Sequence, residues 1–456
     1  MDAIICSAGQ GSRMGPMGFY MRKSMFRDIH TDKTILWYQL DALQELGISR
    51  VVVLYPRKDW QIPAELERVS ERFRDMELRS LPVQTRNILE TVEVGLTHVA
   101  SDHVIRLDGD VCVPERTGLL PLKEVDGNAI ACFSSPPGYP VNEHTFVVQD
   151  RQLRYWHHGM NSFRVWSCIE RWTTNDLKRL LEYGRTRGYP LLYQCISDLT
   201  MADPPLEWEE IELPVTYEID TPEDARELVN FWDQRARELE VRALSFWVAQ
   251  NAYPRFSFDK QAQLRHDIDI VLDLVKDGQK FLEIGPGEGQ LMEAILQQHS
   301  PSRYRAVEPN PRWIARLEQK FQGDSRVQCF NGTLEAWNQQ CQDTDDCDDI
   351  ALAMGWAIYI IHDETLHRNL FGLKARKLVI KAAEPPQDRY LRLLVDNYSP
   401  EIGGHYIALY RSVSEMCSIV RHAGWLIREV RRSIYPPEIE SRYGNRAYLI
   451  VAERPL

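Results

Sequence analysis

Asp2-Ala3-Ile4-Ile5-Cys6-Ser7-Ala8-Gly9-Gln10-Gly11-Ser12-Arg13-Met14 opens the chain with an apolar run that passes straight into glycines. A second stretch of the same design, Lys280-Phe281-Leu282-Glu283-Ile284-Gly285-Pro286-Gly287-Glu288-Gly289-Gln290-Leu291, lies in the other half. Each reads as a buried strand turning into a helix N-terminus. There, backbone N–H groups and the helix dipole favour an anionic or polar ligand. Two such turns imply two nucleotide-type sites and an α/β fold.

Outward from the first loop, Arg50–Tyr55 and His103–Leu107 read as further strands, with helices over Leu36–Leu46 and Ile88–His98. Residues 129–157 look like hairpins. Pro222-Glu223-Asp224 starts a long helical stretch with proline at a favoured first-turn position. After Asp277-Gly278 strand candidates return at Phe281-Leu282, Tyr304–Val307, Val327–Phe330, Ile350–Met354 and Leu378–Ile380. A final hairpin pattern spans Leu426–Val430 and Tyr448–Val451. The expected division is residues 1–230, a helical connector over 231–264, and residues 265–456. Packing is the expected role of the connector, with a homodimer as the alternative. The acidic run Asp343–Asp349 reads as a solvated loop.

A net charge of −12 argues against an extended nucleic-acid footprint, which needs clustered Lys and Arg. Nine scattered cysteines without a Cys-x-x-Cys pair point to a reducing compartment and away from a structural zinc. The longest apolar run, Ile350–Ile361, is too short for a bilayer span, and no signal peptide is visible. The chain is expected to be cytoplasmic, with no membrane or nucleic-acid partner.

The first loop is not a Walker loop, because no Gly-Lys-Ser/Thr follows. Ala8-Gly9-Gln10-Gly11-Ser12-Arg13-Met14, Asp108-Gly109-Asp110 and Tyr217-Glu218-Ile219-Asp220-Thr221-Pro222-Glu223-Asp224 occur in order. This set resembles the sugar-phosphate and phosphocholine-type nucleotidyltransferases (MobA-like NTP transferases). The resemblance implies Mg²⁺ held by Asp110 and Asp220, with Arg13 and Lys23 neutralising charge during displacement. It implies an NTP, CTP in preference to UTP or dTTP, contacted by Ala8, Gly9, Gly11, Ser12, Gln84 and Asn87. Where the family has Pro-Lys-x-Leu, this chain has Met21-Arg22-Lys23-Ser24-Met25, so Arg22 could share the role of Lys23. Asp108 reads as structural. The acceptor would draw on Tyr139, Asn142, Glu143, Trp156 and Trp166.

In the second half, Gly285-x-Gly287-x-Gly289 is preceded by Glu283, and the next strand ends in Val307-Glu308-Pro309-Asn310. This resembles the class I S-adenosylmethionine-dependent methyltransferases. The resemblance implies that Glu308 accepts hydrogen bonds from the ribose hydroxyls, that Glu283 suits a cationic methyl donor, and that Gly332, Thr333 and Leu334 cradle adenine. His362 is the candidate base, and Tyr359, His405, Tyr406 and Tyr410 are candidate lining. An antiparallel last strand is expected.

The expectation is therefore two doubly wound Rossmann-like domains, an NTP transferase followed by a methyltransferase. The acceptor would be a small phosphorylated or phosphonylated alcohol, methylated itself or as a related metabolite. The alternatives are an inactive nucleotide-binding first domain, and a sugar-1-phosphate uridylyl- or thymidylyltransferase in its place.

Overall fold

The structure, a computed structural model, describes residues 1–9, 12–14, 20–134, 144–149, 151–158, 164–214, 216–251, 260–342, 346–386, 390–399, 404–436, 438–439 and 446–454. The chain divides into two compact units: 1–28 with 33–230, and 29–32 with 231–456.

The first unit contains β1 (Asp2–Cys6), β2 (Arg50–Pro56), β3 (Glu77–Val83), β4 (His103–Asp108), β5 (Val111–Cys112), β6 (Ala129–Ser134), β7 (His144–Gln149), β8 (Gln152–His158), β9 (Arg164–Thr173), β10 (Glu209–Glu212) and β11 (Tyr217–Glu218). Its main sheet runs β10-β6-β9-β4-β1-β2-β3. β1 is central, parallel to both β2 and β4, and every one of its residues is buried. That is why it reads as an unbroken apolar run. The sheet is mixed rather than wholly parallel, because β9 lies antiparallel between β4 and β6.

Helix Ile35–Leu46 shows how local signals and burial agree. The Thr34 side chain caps it by accepting from the Trp37 N–H, and Gly47 ends it in the left-handed region at φ 88°. Leu36, Leu40 and Leu43 on its inner face are fully buried. Each contributes about 1.5–3 kcal/mol by burial.

The second unit contains β12 (Lys280–Ile284), β13 (Arg303–Glu308), β14 (Val327–Asn331), β15 (Asp348–Met354), β16 (Ala375–Ala383), β17 (Arg392–Ser399), β18 (Gly404–Arg411), β19 (Leu426–Arg432) and β20 (Ala447–Glu453). The sheet order is β14-β13-β12-β15-β16-β20-β19. β12–β16 are parallel, and β20 runs antiparallel to both β16 and β19. β17 and β18 form a separate hairpin that sequence patterning leaves unassigned.

The acidic run is not a solvated loop throughout. Asp348 starts β15 and is buried, and it and Asp346 hold Arg303 and Arg305 of β13. Residues 343–345 lie outside the described residues. Helix Pro222–Ala249 continues past Asn230, the last residue of the first unit, into the second. Among the described residues no helix is long and apolar enough to cross a membrane.

Candidate active site and candidate donor site

In the first unit the carboxyl ends of β1 and β4 open onto a cavity of about 740 Å³. β1 hands over to its loop tightly: Ser7 N–H donates to Leu54 O at 2.8 Å, and Gly109 N–H donates to Cys6 O at 2.9 Å. Gly109 has no room for a side chain, since a Cβ would fall 2.7 Å from Ser7 Cα. A short ladder then sets the register of the acidic motif. β11 pairs with β5, placing Glu218 opposite Val111, and Ile219 N–H donates to Asp110 O at 3.1 Å. Asp110, Glu218 and Asp220 thus each bring one carboxylate oxygen within 4.8 Å of the others.

Asp220 is not the cap of the following helix. Thr221 fills that place: its hydroxyl accepts from Asp224 N–H at 3.3 Å, while Asp224 Oδ2 accepts from Thr221 N–H at 2.7 Å. The reciprocal cap leaves the Asp220 carboxylate to the cavity. Lys23 Nζ donates to Asp110 at 2.9 Å and to Asp220 at 2.5 Å. These two carboxylates raise the Lys23 pKa against the opposing effect of burial, so the ammonium stays charged. Arg13 pairs with Asp220 from a largely exposed position. Arg22 also lines the cavity but is paired away from the carboxylates: its Nε lies 2.5 Å from Asp59 and its Nη1 donates to Gly9 O at 3.3 Å.

Beneath this layer lies a buried ionic network. Arg106 is 1% exposed and donates to Glu170 at 3.0 Å and to Asp108. Burial pushes Glu170 up to about 7, against the pull of Arg106. Asp108 is raised by burial, again opposed by Arg106. Asp108, held by Arg106, anchors the loop and lines the cavity beside Asp110.

Ala8, Gly9, Arg13, Lys23, Asn87, Asp110 and Asp220 all line this cavity. Gln84 does not: it is exposed, and the chain turns so that Thr85, Arg86 and Asn87 reach the cavity instead. Asn87 also caps its helix by accepting from Glu90 N–H at 2.9 Å. Gly11 lies outside the described residues, as do the Ser12 side chain, Tyr139, Asn142, Glu143 and the Trp156 side chain; Trp166 lines the cavity. Sequence reasoning passed over Glu218, although the alternation Glu218-Ile219-Asp220 already put both carboxylates on one side of an extended segment. Three carboxylates are a hard-oxygen set suited to Mg²⁺, and the adjacent cations suit a polyphosphate.

In the second unit a cavity of about 330 Å³ is lined by Gly285, Gly287, Glu308, Gly332, Thr333 and Leu334, among others. Gly285, Gly287 and Gly289 all have left-handed φ, at 69°, 55° and 73°. That alternation is open to glycine and strained for other residues, and it curls the backbone around the cavity mouth. Gly289 itself faces away: a Cβ there would meet Leu317 at 2.3 Å, so its task is helix packing. Glu308, 3% exposed, accepts from Asn310 N–H at 2.9 Å and Gly287 N–H at 3.3 Å. Burial nevertheless pushes its carboxyl up to about 7.

Glu283 and His362, like Gly289, do not line this cavity. Glu283 points into the sheet's packing layer, where it accepts from the Tyr304 hydroxyl at 2.8 Å and burial raises it to about 7. His362 sits just before helix Asp363–Gly372 with Nε2 2.6 Å from Asp233 Oδ1, while its N–H donates to Glu240. A mid-strand register turns Glu283 inward, and the Asp233 contact holds the imidazole elsewhere. His405 is half exposed against Asp396 and is likewise not among the lining residues, whereas Tyr359, Tyr406 and Tyr410 are.

Residues 3–194 match the MobA-like NTP transferase domain. Solved structures similar to the chain include a CTP:phosphocholine cytidylyltransferase from Streptococcus pneumoniae (18% identity, TM-score 0.40, covering 50% of this chain and 98% of that one). Another is an inositol-1-phosphate CTP transferase from T. maritima (14% identity, TM-score 0.42, covering 51% and 96%). Among curated proteins none matches this chain.

Proposed function

We propose that this chain, whose first unit carries a MobA-like NTP transferase domain, is a bifunctional enzyme. The first unit moves a nucleotidyl group, CMP from CTP, to a small phosphorylated or phosphonylated alcohol. The second transfers a methyl group from S-adenosylmethionine to the same or a related metabolite. The observation that carries the first half is the convergence of Asp110, Glu218 and Asp220 with Lys23 on a glycine-loop cavity.

In the reaction an acceptor oxygen forms a bond to the α-phosphorus, the bond from that phosphorus to the bridging oxygen breaks, and pyrophosphate leaves. Little covalent work falls to the protein, so catalysis is alignment and charge neutralisation. Asp110, Glu218 and Asp220 would hold Mg²⁺, which supplies electrostatic neutralisation of the phosphate oxygens when bound. Arg13 and Lys23 supply fixed positive charge to the departing pyrophosphate. The loop at Ala8-Gly9 brings backbone close to the nucleotide, where a Cβ on Gly9 would meet only open space. The preference for CTP rests on the Glu218-Ile219-Asp220-Thr221-Pro222-Glu223-Asp224 motif.

For the second half, support comes from three left-handed glycines, a carboxylate at the end of β13 and an antiparallel last strand, all features that the resemblance implies. Glu308 would accept from the ribose hydroxyls and Gly332–Leu334 would border adenine. The test is in two parts: pyrophosphate release from CTP with Mg²⁺ and phosphocholine-like acceptors, and calorimetric binding of S-adenosylhomocysteine. Absence of either result removes the corresponding half.

A further inference from the structure

The cavity of the second unit is also lined by Glu240, Trp247, Trp313, Tyr359, Tyr406 and Tyr410. Glu240 and Trp247 stand seven residues apart on helix Pro222–Ala249 and so share one of its faces. The rings meet at steep angles. Trp247 and Tyr359 pack edge to face with centres 4.9 Å apart, Tyr359 and Tyr406 at 6.1 Å, and Trp247 tilts against Trp313 at 6.2 Å. Walls inclined at 59° to 86° surround a compact group on several sides, whereas a flat ligand asks for parallel faces. Aromatic faces attract cations, most strongly in a desolvated site.

The charges agree. The cations lining the cavity are already matched: Lys381 by Asp267 and the Tyr435 hydroxyl, and Arg446 by Glu384 at 3.8 Å. Glu240 instead accepts from neutral groups, the His362 N–H at 2.9 Å and the Thr365 side chain. Glu240 lines the same cavity as the aromatic walls, and burial raises its pKa and makes it a ready proton acceptor; in its ionised form it disfavours an anionic acceptor group and favours a cationic one.

We propose that this aromatic chamber holds the alkylammonium group of the methyl acceptor, so that the second unit methylates nitrogen on a small alkylamine. The proposal rests on the methyl-donor reading above. The bound ammonium gives a proton to the Glu240 carboxylate. The nitrogen lone pair then forms the new C–N bond as the C–S bond of the donor breaks. The product keeps a positive charge in the chamber, and the neutral thioether leaves.

The test uses the full chain saturated with S-adenosylhomocysteine and two probes of one shape, choline and its neutral isostere 3,3-dimethylbutan-1-ol, read by calorimetry. Choline should bind at least tenfold more tightly. Tyr406→Leu and Trp247→Leu should each erase that preference, and Tyr406→Phe should keep it. If S-adenosylhomocysteine binds while the two probes bind alike, or if the preference survives both leucine variants, the amine assignment falls and the donor reading stands. If S-adenosylhomocysteine does not bind, the donor reading falls and takes this assignment with it.

Discussion

At the scale of single residues, Lys23 occupies the decisive position. It bridges Asp110 and Asp220, which are otherwise two like charges drawn together in a partly buried site. Lys23→Met should lower the rate of pyrophosphate release by about 10²–10³, the usual loss on removing one positioned electrostatic contact. Arg22→Met should cost far less, because Arg22 is turned to Asp59. Stopped-flow pyrophosphate detection separates the two. Glu308 makes a pH-dependent prediction. Burial raises it to about 7, so near pH 6 the folded unit retains a proton that the unfolded chain has released. Its stabilising contribution is complete below the unfolded value and is lost as pH rises through about 7. Ribose hydroxyls donate best to the ionised form, so affinity for S-adenosylhomocysteine should rise with pH up to about 7 and then level off. Glu308→Gln should flatten that profile in calorimetry across pH 5.5–8.

At the scale of elements, two short pairings make the first site. The β5–β11 ladder and the Thr221–Asp224 cap together decide where Glu218 and Asp220 stand. Gly109 seals the arrangement against Ser7. Gly109→Ala should force the two loops apart, costing about 1–3 kcal/mol as overpacking does, with a lower melting temperature and loss of nucleotide binding. In the second unit, Asp267 of helix Lys260–Leu272 satisfies Lys381 of β16 and accepts from the Tyr435 hydroxyl at 2.9 Å. Asp267→Leu would strand a buried ammonium and should cost about 3–5 kcal/mol in denaturant unfolding. Lys381→Met combined with Asp267→Leu should recover much of that loss.

At the scale of the whole molecule, what could be read from sequence divides by physical cause. The two strand–glycine–helix turns were legible because burial on both faces writes an apolar run and a tight turn writes glycines. Asp110 and Asp220 came from ordered motifs and Lys23 from a stretch that departs from the family's Pro-Lys-x-Leu, and the folded chain gathers all three. The local alternation sets Glu218 on the same side as Asp220, but its approach to Asp110 depends on pairing with β5, which lies a hundred residues earlier. Glu283 and Gly289 were misplaced because a motif gives spacing but not the side on which a residue faces. The β17–β18 hairpin depends on long-range packing and left little local signal; of the aromatic chamber, Tyr359, Tyr406 and Tyr410 were legible as candidate lining, while Trp247 and Trp313 were not.

The cavity around Asp110, Glu218 and Asp220 is proposed to transfer nucleotidyl groups. The most direct measurement is acceptor-dependent pyrophosphate release from CTP and Mg²⁺ by the full chain, beside Asp110→Ala and Asp220→Ala. Release is expected with a phosphorylated or phosphonylated alcohol, with its loss in both variants while S-adenosylhomocysteine still binds. Release that persists in both variants, or no release from any nucleoside triphosphate across that acceptor class, would contradict it.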